Sequence, residues 1–474
     1  MIGIRRGLTG KTTARAAGLL AVVSAAIFFD ALDLSITQVA LPAIQSALQV
    51  GPGALPWIAA AYVVTYGGFL LLGGRLTDMF GGRTVFLAGL AVFGAASLAC
   101  GLSGATLMLV VARAVQGVGA ALTVPAAVAI LAGAFDDERE RTRAFGVFAA
   151  AASSGFSAGL VFGGLITSGL SWNWIFLAKV PAVVLVLLVA VRVVPGAGRV
   201  DRQGGYDVLG ALTATAAAVL LTYGVTRAGG PGPSVGTVGL PIALAAVLFA
   251  AFLFVERRIR APLLPLRVLR SPTLAIADLA ALTVLAAPFG VSYIVTVYLQ
   301  DALHRSPWYV ALTLLPGAAS SAVVARYVAP VLINRWGLRT VFAAGLAAVA
   351  VGDAGLLALP EPLPIWVTVV AVVISFGLGM GLAYPAATLG GVHGAQSEDQ
   401  GSAAGLNNTA LQIGGALGLA IVATAMNLGL NGGSIAESSS GTVESAVRYG
   451  AAAATALPLL GAVVVLLGLP RRQR

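Results

Sequence analysis

Cysteine is nearly absent: Cys100 stands alone in 474 residues, so no intrachain disulfide and no cysteine-held metal cluster can form. Histidine is as scarce, and His304 and His393 lie far apart, with no His/Cys/Asp grouping at metal-ligand spacing. No GxxxxGK[ST] pattern cradles a phosphate, and no nucleophile, base or metal set clusters, so neither an ATP site nor an enzyme is expected. No cofactor is expected either. Charged residues make up 10% of the chain against about 25% in an ordinary soluble domain, which excludes such a domain. The net charge of +10 is spread over short loops with no domain to display it, so nucleic acid is not an expected partner.

What is present is apolar. Hydrophobic residues are 58% of the total and the mean hydropathy is +0.95, the composition of a polytopic membrane protein. Sixty glycines suit close packing of helices in lipid. With about 17 to 25 apolar residues per span, the sequence predicts fourteen, near 17–41, 56–75, 84–103, 106–132, 144–168, 173–194, 208–227, 237–255, 273–299, 308–333, 340–359, 363–389, 401–428 and 446–469. The first follows Arg5, Arg6, Lys11 and Arg15 and is too long for a signal-peptide core. With a cytoplasmic N-terminus, 22 basic residues fall on inner loops and tails and three (Arg227, Arg305, Arg448) on the outer side, so both termini are placed inside. Arg113, Lys179 and Arg326 remain within spans.

The chain also repeats itself. A shift of 256 lays residues 80–91 on residues 336–347 with nine of twelve identical, and a shift of 260 lays Gly117–Ala127 on Gly377–Ala387. Spans 1–6 and 9–14 are thus expected as two six-helix halves, 1–195 and 272–474, joined by two extra helices within 196–271. A parallel repeat of this kind points to a transporter with its site at mid-membrane between the halves.

Several segments carry a resemblance: Leu32-Asp33-Leu34-Ser35-Ile36-Thr37 in span 1, Gly74-Arg75-Leu76-Thr77-Asp78-Met79-Phe80-Gly81-Gly82-Arg83 after span 2, and Arg113-Ala114-Val115-Gln116-Gly117-Val118-Gly119 in span 4. Trp172–Leu177, Tyr298-Leu299-Gln300 and Leu314-Leu315-Pro316-Gly317 add to it. Together, in this order, they resemble the major facilitator superfamily and its fourteen-span drug:proton antiporter branch. The resemblance implies an all-α fold and a monomer in the cell membrane that exports lipophilic or amphipathic compounds, driven by the proton gradient. A dedicated exporter of an endogenous metabolite, or an uptake symporter, is the alternative. It also implies a gating role for Asp78 and Arg83, and for Gly155, Gly159 and Gly163 of the fifth-span signature. Two positions depart from the pattern: Leu160 replaces the signature's proline, and Lys179 replaces an asparagine.

A charge at membrane depth costs about 2.5–3.5 kcal/mol on insertion scales, so each needs a partner or a function. Asp30 and Asp33 sit at i and i+3, on one side of span 1, where two carboxylates resist ionising together and suit proton carriage. Arg113 lies at matching depth and is expected to pair with Asp33, either as a coupling bridge that breaks on protonation or as a permanent one. Lys179 is expected to neutralise Asp30 or to snorkel, Asp278 to pair with Arg326, and Asp353 to be solvated. Gln38, Gln116, Asp278, Tyr293, Tyr384, Asn407, Asn408 and Gln412 are expected to line the substrate path or to join helices. The six tryptophans read as interfacial anchors.

Overall fold

The computed structural model describes residues 10–51, 54–134, 138–195, 208–228, 233–259, 271–357, 365–391, 400–430 and 440–470. Every regular element among them is helical, as apolar runs must be where no water can satisfy the backbone. The first group is α1 (Gly10–Leu48), α2 (Leu55–Phe80), α3 (Gly82–Gly101), α4 (Thr106–Ala134), α5 (Glu138–Gly169), the short α6 (Trp174–Leu177) and α7 (Lys179–Val193). Then come α8 (Val208–Ala228) and α9 (Leu240–Glu256), the latter entered through a π-helical turn, Val235–Gly239. The last group is α10 (Pro272–Val284), α11 (Ala286–Val297), α12 (Pro307–Val323), α13 (Ala329–Trp336), α14 (Leu338–Ala354), α15 (Ile365–Val372), α16 (Gly381–Gly390), α17 (Gln400–Gly429) and α18 (Ser440–Gly468). π-Helical stretches at Tyr298–Ala302, Val324–Val328 and Val373–Met380 extend or join these helices.

Among the described residues, 11 helices are long and apolar enough to cross a membrane, so the protein is a multi-pass membrane protein. Fourteen are not reached on that measure: α14 has 17 residues, and the apolar part of α2 is the shorter Leu55–Leu70. Proline opens α2, α9, α10, α12 and α13 within their first two positions, where a missing N–H costs nothing.

α1 packs along α5, α2 along α4, and α3 on α4 and α7. In the last group α10 and α11 pack on α17, and α14 packs on α18 and on Val373–Met380. The broadest contacts between the groups are α2 on α17 and α5 on α12. Along the second, the Trp308 N–H donates to Ser168 Oγ at 3.3 Å, and nearby Gln300 Nε2 donates to the Val39 carbonyl at 3.0 Å. α8 lies against both α2 and α17, and its Val225 carbonyl accepts a hydrogen bond from Thr424 Oγ1 at 2.9 Å.

The sequence repeat is a repeat of structure. Gly81 and Gly337 both take φ near +83°, a backbone that suits glycine, and each N–H caps the preceding helix at 2.9 Å, onto Thr77 and Ile333. Two residues on, Arg83 donates to the Val191 carbonyl at the end of α7, and Arg339 donates to the Leu466 carbonyl at the end of α18. Each arginine braces its own group of helices at a helix C-terminus, where positive charge is favoured. Gly89 against Thr123 in the first group and Gly345 against Ala383 in the second mark the same backbone-to-backbone approach.

Candidate functional site

Asp33, fully buried in α1, is the centre of a polar cluster inside the first group. Arg113 of α4 pairs with its Oδ2 and Lys179, the first residue of α7, with its Oδ1. Gln116 Nε2, one turn along α4 from Arg113, donates to Asp33 Oδ1 at 2.9 Å and to Ser97 Oγ of α3 at 2.9 Å. Arg113 also donates from Nη1 to Gln116 Oε1 at 2.7 Å and from Nε to the Ile58 carbonyl at 3.0 Å. Aromatic rings surround the cations: Arg113 lies 4.5 Å from the Tyr62 centroid, and Lys179 lies 5.0 Å from Phe176 and 5.9 Å from Phe93. Arg113 is 1% exposed and among the largest fully buried side chains. Removing one partner of such a buried pair costs about 3–5 kcal/mol, because the other charge is left behind.

The expected Asp33–Arg113 pair is therefore present, while Lys179 meets Asp33 and not Asp30. Two cations thus share the Asp33 carboxylate, and a second carboxyl, Asp30, lies one turn away in α1. Asp30 is buried and accepts a hydrogen bond from the Tyr62 hydroxyl. Tyr66 of α2 and, across the boundary between the groups, Tyr384 of α16 lie within its electrostatic reach. Phe156 of α5 and Phe376 of the Val373–Met380 stretch meet across the same boundary, with ring centroids 6.4 Å apart.

The other expected residues scatter. Gln116 belongs to the Asp33 cluster and is fully buried. Gln38 and Gln412 are buried, each with an amide oxygen that has no hydrogen-bond partner among the described residues, and Gln412 lies against Gly67 where α17 meets α2. Tyr293 is core in α11 and Asn408 is half-buried in α17. Asp278 accepts from Asn407 Nδ2 at 2.9 Å, tying α10 to α17. It makes no ion pair with Arg326 among the described residues; Arg326 is exposed beside the Tyr327 ring, at 5.8 Å. Asp353 is 1% exposed beside Ser375, not solvated, because α14 and the stretch 373–380 approach so closely that a Cβ at Gly352 would lie 2.5 Å from Ser375 N. Trp172 is likewise buried, edge-on to Phe176.

Gly155, Gly159 and Gly163 form the face of α5 that lies on α1, where a Cβ at Gly155 would come within 2.2 Å of the Phe28 carbonyl oxygen. Ser35 donates across this contact to the Phe156 carbonyl at 2.7 Å. The three glycines thus pack helices within the first group, whereas Gly164 next to them faces Trp308 and Ala311 of α12. The side chain of Asp78 lies outside the described residues. Tyr62, Tyr66 and Ser97 complete the site but escaped the sequence reading; the i, i+4 pair of tyrosines in an otherwise apolar run was the available signal.

Comparison with known proteins agrees with this picture. The family model described as Major Facilitator Superfamily matches residues 23–419. The cephamycin export protein CmcT of Amycolatopsis lactamdurans is 36% identical over 433 residues, covering 90% of this chain and 88% of that one. The puromycin resistance protein pur8 of Streptomyces alboniger is 34% identical over 461 residues, covering 94% and 90%. Among solved structures, a D-xylose-proton symporter superposes with a TM-score of 0.66 over 96% of this chain and 98% of that one, at 12% identity, a likeness of fold alone. With a buried charge cluster inside one group of membrane helices and a boundary between two repeated groups, the chain belongs to the major facilitator superfamily and is a transporter, not an enzyme.

Proposed function

We propose that this protein is a proton-coupled secondary active transporter that exports lipophilic or amphipathic compounds, antibiotics among them, by alternating access. The observation that carries the reading is the buried Asp33–Arg113–Lys179 cluster, with Asp30 buried one turn away in α1 and bonded to Tyr62. Charges held this deep mark ion pathways in membrane proteins. The export direction leans on the relatives, whose names are those of antibiotic export and resistance proteins. The same reading keeps fourteen spans, divided at 1–195, 196–271 and 272–474, in a monomer of the cell membrane with both termini inside. In support, each of the fourteen expected runs falls on a helix. A narrower reading, one dedicated antibiotic as substrate, is favoured by relatives named for single compounds, cephamycin, puromycin and lincomycin.

The test is ethidium transport in proteoliposomes under an imposed pH gradient. Asp33→Asn is expected to lose gradient-driven transport by about tenfold or more. Gradient-driven transport that survives this substitution intact would remove the coupling role of the Asp33 cluster. Transport of cephamycin or puromycin but of no unrelated amphiphile would establish the dedicated exporter.

A further inference from the structure

We propose that Lys179 holds the exchangeable proton of this transporter, with Asp33 as its fixed counter-ion and Asp30 as the group that receives a cationic substrate. This rests on the proton-coupled reading above. Asp33 accepts from Arg113, Lys179 and Gln116 together. Protonating it would turn away two buried cations at once and break three hydrogen bonds. Arg113 cannot give up a proton in a protein, and its guanidinium is further fixed by Ile58 and Gln116. Lys179 is the remaining member that can change charge without dismantling the cluster. Its side chain is 4% exposed, and its ammonium has Asp33 as acceptor and the apolar rings of Phe176 and Phe93 close by. Lysine ammonium groups in such surroundings titrate readily.

The charge count then gives a complete exchange. The titratable and charged groups around Lys179 are Asp33, which it pairs with, Asp30 one turn away in α1, and Arg113 of α4, which shares Asp33; Tyr62 of α2 is bonded to Asp30, and Cys100 of α3 lies against Gln116. With Lys179 protonated and Asp30 ionised, the four charged side chains sum to zero. A substrate cation arriving at Asp30 adds one positive charge in a low-dielectric space. Neutrality returns when one Nζ–H bond of Lys179 breaks, the electron pair staying on nitrogen and the proton passing to water on the side to which the carrier is open. Asp33 and Arg113 stay paired throughout, so the fold of the first helix group is undisturbed while one cation replaces one proton. Sequence pattern alone hid this, because the position carries asparagine in the branch that the chain resembles.

The experiment uses the full-length protein and ethidium as probe. In weakly buffered detergent near pH 7, wild type is expected to release about one proton per ethidium bound. Lys179→Arg keeps the charge without the exchangeable proton, so the charge of a bound cation stays uncompensated: it is expected to release no proton and to lose pH-gradient-driven accumulation about tenfold or more, with gradient-independent counterflow, which needs the same bound cation, falling with it. Should the arginine not fit, Lys179→Asn provides the second readout: the proton must then move to a carboxylate, and the midpoint of the transport–pH profile is expected to shift by about one unit or more. Wild-type proton release and an unshifted pH profile in both variants would overturn the assignment to Lys179 and leave proton coupling itself intact. Wild-type counterflow with no response to a pH gradient would overturn the coupled reading and this assignment together.

Discussion

At the scale of single residues, Gln116 shows how tightly the buried cluster is drawn. Its amide joins Asp33, Arg113 and Ser97, three groups from three helices, with no exposure of its own. Gln116→Leu keeps the volume and strands polar partners, so a loss of about 1–3 kcal/mol is expected, read as a lower unfolding temperature in detergent. An unchanged melting curve would show that the cluster does not need the amide. The pairing of Asp33 with Arg113 was legible in the sequence because both lie at one depth. The choice of Lys179 was not: Asp30 and Asp33 are one helical turn apart, roughly 4.5 Å along the axis, and depth arguments do not resolve a single turn. Asp353 was misread for a related reason, since proximity to a helix end says nothing of the neighbouring helix that covers it.

At the scale of helices, the all-helical membrane-spanning character and the duplicated turn were readable, though not the number of spans, because lipid forces long apolar runs into helices and because the turn kept Gly81 with Gly337 and Arg83 with Arg339. What the turn does was less legible. In this structure its arginines, Arg83 among them, brace helices inside each group. The signature glycines of α5 likewise proved to be contacts with α1. A Cβ at Gly159 would sit 2.0 Å from Ser35 Oγ and 2.4 Å from the Leu32 carbonyl oxygen, whereas one at Gly74 meets nothing within 4 Å. Gly159→Ala is therefore expected to cost about 1–3 kcal/mol by overpacking, and Gly74→Ala to be neutral or mildly stabilising. Thermal unfolding of the two variants side by side checks this, and equal behaviour would contradict the close packing of α5 on α1.

At the scale of the whole molecule, the boundary between the helix groups is closed at Ser168–Trp308 and Val39–Gln300. A transporter that alternates must open this line once per cycle. Cysteines at Ser168 and Trp308, with the lone native Cys100 buried, are expected to cross-link under oxidation, stop ethidium transport and release it again on reduction. Full cross-linking with undiminished transport would mean that the groups do not separate there. The duplicated turn was visible in the sequence, but these boundary contacts were not, since neither helix pair carries a matched charge or a periodic signal to announce its partner.

The Asp33 cluster also has a history within each molecule. Its carboxylate leaves the ribosome 80 residues before Arg113 and 146 residues before Lys179. At synthesis rates of about 5–20 residues per second, α1 waits roughly 4–16 s for its first cation and roughly 7–29 s for its second. Membrane insertion of this protein is thus a process in which a charged first helix must be held, by the insertion machinery or by water at the membrane surface, until α4 and then α7 arrive to complete it.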